Sequence, residues 1–344
     1  MDLPHNQSFY IEHINQFIST MPEFPYSCPI CGAPINADGE GEPWISNAIL
    51  LSDYTPDREG VYPGCETTCD EDIYLTKATV AEDMGKEWFH LNGHTLIQAC
   101  YWPWSQAGNP CFIPVHQSCW DIAKRVVTLR SESEAHAGSV TSMKALYESL
   151  LVRRRRNKST NYQFWEAHNY FIHDYPHSYE WFELVDEGLV FSDPISIPDP
   201  TDFILSLLKP LPPANENTSS PAHTSLKNSV GNLPVEIADL VTDHLSPLKN
   251  LPLQCTRVLP RAYWTRALLS GKVVPWLWDL DIKKIEEKLA TSPDNNGWDV
   301  ERLVRQLSQS GFADYCLENL IGASDTVPYG LLNRSRIWRL IESW

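Results

Sequence analysis

Four residues carry the spacing of a metal site. Cys28-Pro29-Ile30-Cys31-Gly32 is a Cys-x-x-Cys turn followed by glycine, and His116-Gln117-Ser118-Cys119 sets two more ligand types three residues apart. A tight turn between the two cysteines aims both thiolates at one point, and a glycine there lets the backbone take positive φ beside an ion. Structural zinc takes four such ligands and keeps no open position for water or substrate. Cys28, Cys31, His116 and Cys119 therefore read as one closed Cys3His set, with zinc as a structural cofactor. Without metal, the same residues would be an ordinary turn and a buried thiol.

The elements that position these ligands follow from periodicity. The stretch CFIPV reads as a strand from its apolar content. It runs into a helix whose Trp120, Ala123 and Val127 recur at spacings of three and four, with Ile122 and Val126 beside them. His116 and Cys119 then fall at the helix start, on one side. A knuckle plus two ligands at the start of a helix is the treble-clef arrangement. The long insert between the halves contains a further strand candidate, TLIQACYW, and the pair Cys65 and Cys69 in an acidic loop. With Cys100 and Cys111 these make eight ligand candidates, but the spacings are too long for a RING cross-brace, and a second metal stays open. His90 and His94 flank an Asn-Gly turn signal and carry no special role.

Other segments read as scaffold. Residues 8–20 and 140–156 are helix candidates, the second with Met143, Leu146, Leu150 and Leu151 on one side. That helix ends in Arg153-Arg154-Arg155-Arg156, which suits a helix C-terminus and also has the composition of a nuclear-import signal. Residues 162–192 are dense in aromatic side chains, and His168, His173 and His177 among them read as packing. A short helix is expected after Asp199-Pro200.

Composition bounds the rest. The chain has 344 residues, 42% of them hydrophobic, and 13 Trp, which is enough to bury real cores. Acidic residues outnumber basic ones 44 to 27, for a formal charge of −17. Most of such a surface repels a phosphate backbone, so nucleic-acid binding is not expected. No signal pattern opens the sequence and no run reaches the length of a membrane span, which points to the cytoplasm or nucleus and to no membrane partner. Nine cysteines in a reducing compartment favour metal ligands and buried thiols over disulfides. Phosphate-binding glycine loops, a nucleophile elbow and the metalloprotease helix motif are all absent, so an enzyme is not expected.

Residues 209–231, KPLPPANENTSSPAHTSLKNSVG, hold almost no large apolar side chain and read as a flexible Pro/Ser/Thr-rich linker. The stretch after it, from Asn232 to Asp281, changes character. Leu233-Pro234 opens a helix, with proline at its favoured first position. Ile237, Leu240, Val241 and Leu245 follow as an apolar stripe, with Glu236, Asp239 and Asp243 off it. Pro247 ends that helix. A Leu-rich run containing Pro252, then Cys255-Thr256-Arg257, then LPRAYW and PWLWDLD complete the pattern.

That order resembles an F-box, in the version found in many filamentous-fungal F-box proteins, which often carry a C-x-x-C-G and a later H-x-x-C-aromatic pair upstream. The resemblance covers about 45 residues directly. It implies a small three-helix module that docks on a Skp-type adaptor of a cullin-RING ubiquitin ligase through Leu233, Pro234, Ile237, Leu240, Val241 and Leu245.

The expected fold class is α+β. Residues 1–208 would form a zinc-binding, treble-clef-like mixed domain with an insert, 209–231 a disordered linker, 232–281 the F-box and 282–344 a C-terminal helical region. The expected function is a non-catalytic substrate receptor with an unknown protein target. The contrasting reading is a zinc-stabilised interaction protein outside any ligase, whose F-box-like helices serve internal packing. The two differ in whether the Ile237/Leu240/Leu245 stripe is buried by the chain's own C-terminal helices.

Overall fold

The computed structural model describes residues 28–33, 35, 43–52, 67–83, 86–91, 95–97, 113–131, 140–157, 187–212, 221–234, 237, 240, 252–271, 273–291, 297–309, 312, 316 and 327–344. The architecture is mixed α+β, with two compact units. One comprises Met1–Thr128 and Ser139–Leu184, and the other Leu129–Gly138 and Val185–Trp344. The division falls near residue 185, not at the expected 208, because residues 187–208 belong with the C-terminal helices. The helix expected over residues 8–20, and most of the aromatic stretch after 162, lie outside the described residues.

The first unit is built on an antiparallel sheet of six strands: β1 (Asn47–Ser52), β2 (Thr67–Asp70), β3 (Ile73–Asp83), β4 (Lys86–Leu91), β5 (Thr95–Ile97) and β6 (Ile113–His116). The strand order is β5-β4-β3-β1-β6, and β2 pairs with the first half of β3. Ala48 to Ser52 of β1 are all buried, so this strand is covered on both faces. Pro114 lies in β6, which bonds only to β1, and an edge strand is where proline is tolerated. Glu71 and Asp72 make the two-residue turn from β2 to β3, both with positive φ (49° and 68°), as a type I′ hairpin requires. The acidic residues there have a use. A Glu71 carboxylate oxygen accepts the Lys144 backbone N–H at 3.1 Å and so caps the second helix of the unit. Among the described residues this unit has two helices, α1 (Gln117–Ser131), whose last residues pass into the other unit, and α2 (Met143–Asn157). Both were legible from apolar spacing: Trp120, Ala123 and Val127 of α1 are buried, as are Met143, Leu146 and Leu150 of α2.

The second unit is helical: α3 (Glu187–Phe191), α4 (Pro200–Ser206), α5 (Pro221–Gly231), α6 (Arg261–Leu269), α7 (Ile282–Ala290), α8 (Val300–Leu307) and α9 (Tyr329–Glu342). One feature departs from expectation. Helix α5 stands where a flexible linker was expected. The start of that stretch is also held, since Leu211 donates to the Gly297 carbonyl at 2.8 Å and Asp299 to the Lys209 carbonyl at 2.9 Å. Low apolar content correctly signals that α5 buries little, but backbone bonding and one side-chain anchor still order it. Helix α9, in the expected C-terminal helical region, has Leu331, Leu332, Ile337 and Ile341 in the core, and Asn333, Arg334, Ser335 and Arg336 are buried too.

Asn333, Arg334 and Arg336 are matched, while the Ser335 hydroxyl has no hydrogen-bond partner. Arg334 Nε donates to the Pro194 carbonyl (2.6 Å), and its terminal nitrogens to both Asp279 carboxylate oxygens (2.7 Å each) and the Ile195 and Trp276 carbonyls (3.1 and 3.4 Å). Its guanidinium also lies 4.0 Å from the centre of the Trp278 ring. Asn333 donates to the Ser192 and Val190 carbonyls and accepts from Arg336. Gly330 is required where α9 meets the same loop: a Cβ there would stand 2.3 Å from the Asp193 carbonyl oxygen. Segment 190–195 is thus bound to α9 through its own backbone, which is why it belongs to this unit.

Replacing Arg334 strands one carboxylate and three carbonyls at once. Arg334→Ala is expected to destabilise the second unit by about 3–5 kcal/mol, and Arg334→Lys, which cannot make the two-pronged pairing, by a large part of that. Denaturant unfolding followed by tryptophan fluorescence measures both. A loss under about 1 kcal/mol for Arg334→Ala would contradict the role given to this side chain.

Candidate metal centre

The site starts from two local structures. In the knuckle, Gly32 N–H donates to the Cys28 carbonyl at 2.7 Å and Cys28 N–H to the Ala33 carbonyl at 2.9 Å. These bonds close the turn around the two thiols. Gly32 sits at φ 75°, a conformation that costs a residue with a side chain roughly 1–2 kcal/mol. In the second half, β6 delivers His116 and α1 begins at the next residue, placing Cys119 in its first turn. The sheet sets the position of this half: His116 pairs with Ala48 of β1, and the 3-10 turn Pro43–Ile45 just before β1 puts Trp44 against the His116 ring at 4.6 Å between centroids.

The four sequence-predicted ligands come together. The ligand atoms of Cys28, Cys31, His116 and Cys119 all lie within 4.8 Å of one another, and all four residues are buried. His116 Nδ1 is 3.3 Å from the Cys31 sulfur and 4.0 Å from that of Cys119, and the His116 backbone N–H reaches the Cys28 sulfur at 3.4 Å. Ligands about 2.3 Å from a common ion in a tetrahedron stand roughly 3.8 Å apart, so the set fits one ion at its centre. Nδ1 is the ring nitrogen turned to the sulfurs, and the backbone bond to Cys28 is a second-shell contact of the kind that orients a thiolate.

Electrostatics agree with this reading. Burial opposes charge on Cys28, yet the Cys119 and Cys31 thiols and the His116 imidazole hold it well below the ordinary thiol range. Burial likewise opposes charge on His116, but Cys31 and Cys28 raise its pKa to about 10. Burial, then Cys28 and Cys31, push the Cys119 thiol up. Without an ion the pocket traps a thiolate beside an imidazolium. A divalent ion bound there would replace those protons and supply the positive charge that a buried thiolate needs.

The remaining predicted residues are placed as follows. Leu233, Pro234, Ile237 and Leu240 are described and exposed, while Val241 and Leu245 lie outside the described residues. Cys69 is exposed on β2, and Cys65, Cys100 and Cys111 lie outside the described residues, as do His94, His168, His173 and His177. Among the described residues the Cys3His set is the single metal-type cluster. No described helix is long and apolar enough to cross a membrane. Sequence reasoning missed Trp44 as the packing partner of His116, since only the β1–β6 pairing brings that tryptophan to the site. No family model, no curated protein and no solved structure matches the chain.

Metal analysis of the purified chain is expected to find one bound ion per molecule, lost in Cys28→Ser and Cys119→Ser. Affinity for that ion, measured by competition with a chromophoric chelator, should fall as pH falls. His116 and Cys119 must give up protons to bind, and acid keeps those protons on. A chain that purifies without metal and takes none up would remove the site.

Proposed function

We propose that the chain is a non-catalytic substrate-recognition subunit of a Skp–cullin–F-box ubiquitin ligase, with a structural zinc ion in its N-terminal unit. The observation that carries this reading is exposure. Leu233, Ile237 and Leu240 are 36%, 43% and 57% exposed, although a buried helical core lies in the same unit. Apolar side chains of this size are left in water at a cost unless a partner covers them. The resemblance of the surrounding stretch to an F-box supplies the partner, a Skp-type adaptor. The back of the stretch supports the same reading. Thr256 and Arg257 donate their backbone N–H groups to Glu301 (2.8 and 3.0 Å), and the Arg257 guanidinium is paired in two-pronged fashion with Asp299. Thr256 and Arg257 are thus anchored while Leu233, Ile237 and Leu240 face solvent.

The Cys3His set suits zinc with four protein ligands, and such a closed site is structural. The ion would fix the knuckle to the β6–α1 junction, in the manner of a treble clef. Target binding would fall to the zinc-containing unit and the C-terminal helices, and ubiquitin transfer to other subunits.

The contrasting reading, an interaction protein outside any ligase, draws on the same Thr256 and Arg257 contacts, which tie the F-box-like stretch into its own unit. Co-purification with a Skp-type adaptor separates the two. The full chain is expected to bind the adaptor. Leu233→Ala with Pro234→Ala should weaken binding by tenfold or more, from about 1.5–3 kcal/mol per buried large side chain. An intact chain that recovers no adaptor, or a double variant that binds as well as the parent, would leave the ligase role without support.

A further inference from the structure

His116 is the one imidazole in the Cys3His set. Its pairing with Ala48 and its backbone N–H to the Cys28 sulfur fix the main chain, not the ring. The torsion about the Cβ–Cγ bond of a histidine is broad and roughly two-fold. In one half-turn Nδ1 faces the sulfurs. In the other a carbon–hydrogen edge faces them, and the ligand is lost. Reach decides which nitrogen can serve. The His116 backbone N–H lies 3.4 Å from the Cys28 sulfur, so the main chain itself borders the site. Nδ1, next to the ring's attachment point, suits that short reach, at 3.3 Å from the Cys31 sulfur and 4.0 Å from that of Cys119. Nε2, at the far end of the ring, would carry an ion away from the three sulfurs.

Trp44 lies against this ring, with centroids 4.6 Å apart and planes tilted by 56°. Both side chains are buried, so neither ring swings freely. The placement is set by the fold. Trp44 is the middle residue of the 3-10 turn Pro43–Ile45, where the Ser46 hydroxyl donates to the Pro43 carbonyl at 3.0 Å. Just beyond that turn, Ala48 of β1 stands opposite His116 of β6. The strand pairing that delivers His116 thus delivers Trp44 to it. An indole is not among the ligands that structural zinc takes, so Trp44 acts on the ring and not on the ion. Turning the imidazole over would sweep its edge through the indole, which a packed aromatic pair resists and a pliant aliphatic chain does not.

We infer that Trp44 is a positioning residue of the metal centre: it holds the His116 ring with Nδ1 toward the three thiols, and so selects Nδ1 as the ligating nitrogen and sets the affinity for zinc. This rests on the structural-zinc reading of the Cys3His set. Partners in the outer shell of a metal site orient its ligands and control solvent access, and Trp44 is placed to do both.

The test uses the full chain with isotope-labelled histidine, stripped of metal and reloaded with zinc. Magnetic resonance of the ring nitrogens that respond to zinc reports which nitrogen of His116 holds the ion, and competition with a chromophoric chelator gives Kd. In the parent, Nδ1 carries the metal and Nε2 the proton. Trp44→Phe, which keeps a flat ring, is expected to bind zinc within about threefold of the parent. Trp44→Leu is expected to bind about tenfold more weakly, as loss of an outer-shell partner does, and its His116 ring to leave the single Nδ1-bound state. Ile45→Val trims the same turn and should lower Tm while affinity and ring signals stay parental. Zinc on Nε2 in the parent would overturn the inference before any variant is made. So would a Trp44→Leu chain with parental affinity and Nδ1 coordination. Equal weakening by Ile45→Val would assign the effect to general packing and overturn it too. In each of these cases the zinc reading stands, whereas a parent chain that takes up no zinc would remove both.

Discussion

Arg334 has no exposed surface, and its five N–H groups are matched by five acceptors. A charge removed from water is tolerated only on such terms, because an unpaired buried ion costs more than the packing around it returns. The need to satisfy this one side chain shapes the second unit. Two of its acceptors are carbonyls of the segment between α3 and α4, and two more partners, Trp276 and Asp279, come from the segment between α6 and α7. Each loop has irregular backbone that helices cannot pair, and the arginine is what pairs it. Asn333, one residue earlier, does the same for Val190 and Ser192. A helix buried on all sides therefore carries a polar row, and the row fastens loops distant in sequence.

The first unit meets the same constraint with different groups. Its buried polar cluster consists of three thiols and an imidazole, in which the neighbours favour charge on Cys28 and His116 and oppose it on Cys119. Arg334 spends its donors on fixed carbonyls. The cysteines have only weak hydrogen-bonding capacity, and a thiolate in an apolar surround needs a cation. A four-coordinate ion would meet that need and would cross-link residues 28–31 to 116–119. Between these lie all the described strands except β6, so closing the site also closes the sheet: β6 must pair beside β1 for His116 to reach the knuckle.

What was legible in the sequence and what was not divides along a physical line. Local periodicity and local turn chemistry were readable. The α1 stripe at Trp120, Ala123 and Val127 follows from spacings of three and four, and the helix after Asp199 from its Asp-Pro start. The ligand set was readable because a metal imposes its own short spacings. Long-range pairing was not. Nothing near Trp44 signals that it packs on His116, and nothing near Glu71 signals that its carboxylate caps a helix more than seventy residues later. Helix α5 was hidden for another reason. Composition reports how much apolar surface a segment buries, and α5 buries little. Its order comes from backbone bonding and the His223 contact to Thr256.

The 252–260 segment shows why anchoring and exposure belong together. Arg257 is held at φ 57°, a left-handed conformation that a non-glycine residue adopts only when its surroundings insist. Glu301 and Asp299 insist, through two backbone N–H groups and the guanidinium. Arg305 ties the same Glu301 to the Pro252 carbonyl and lies over Trp264. The fixed charge beneath this short irregular segment holds its backbone still. Leu253 projects beside the clamp, and α5, whose Leu226 also stands in water, is pinned to Thr256 at its centre. A partner that binds a rigid apolar surface does not have to order it, which removes part of the entropic cost of association. The buried carboxylates Asp299 and Glu301 thus fix Thr256 and Arg257, and through the Thr256 carbonyl they also hold the start of α5 in place.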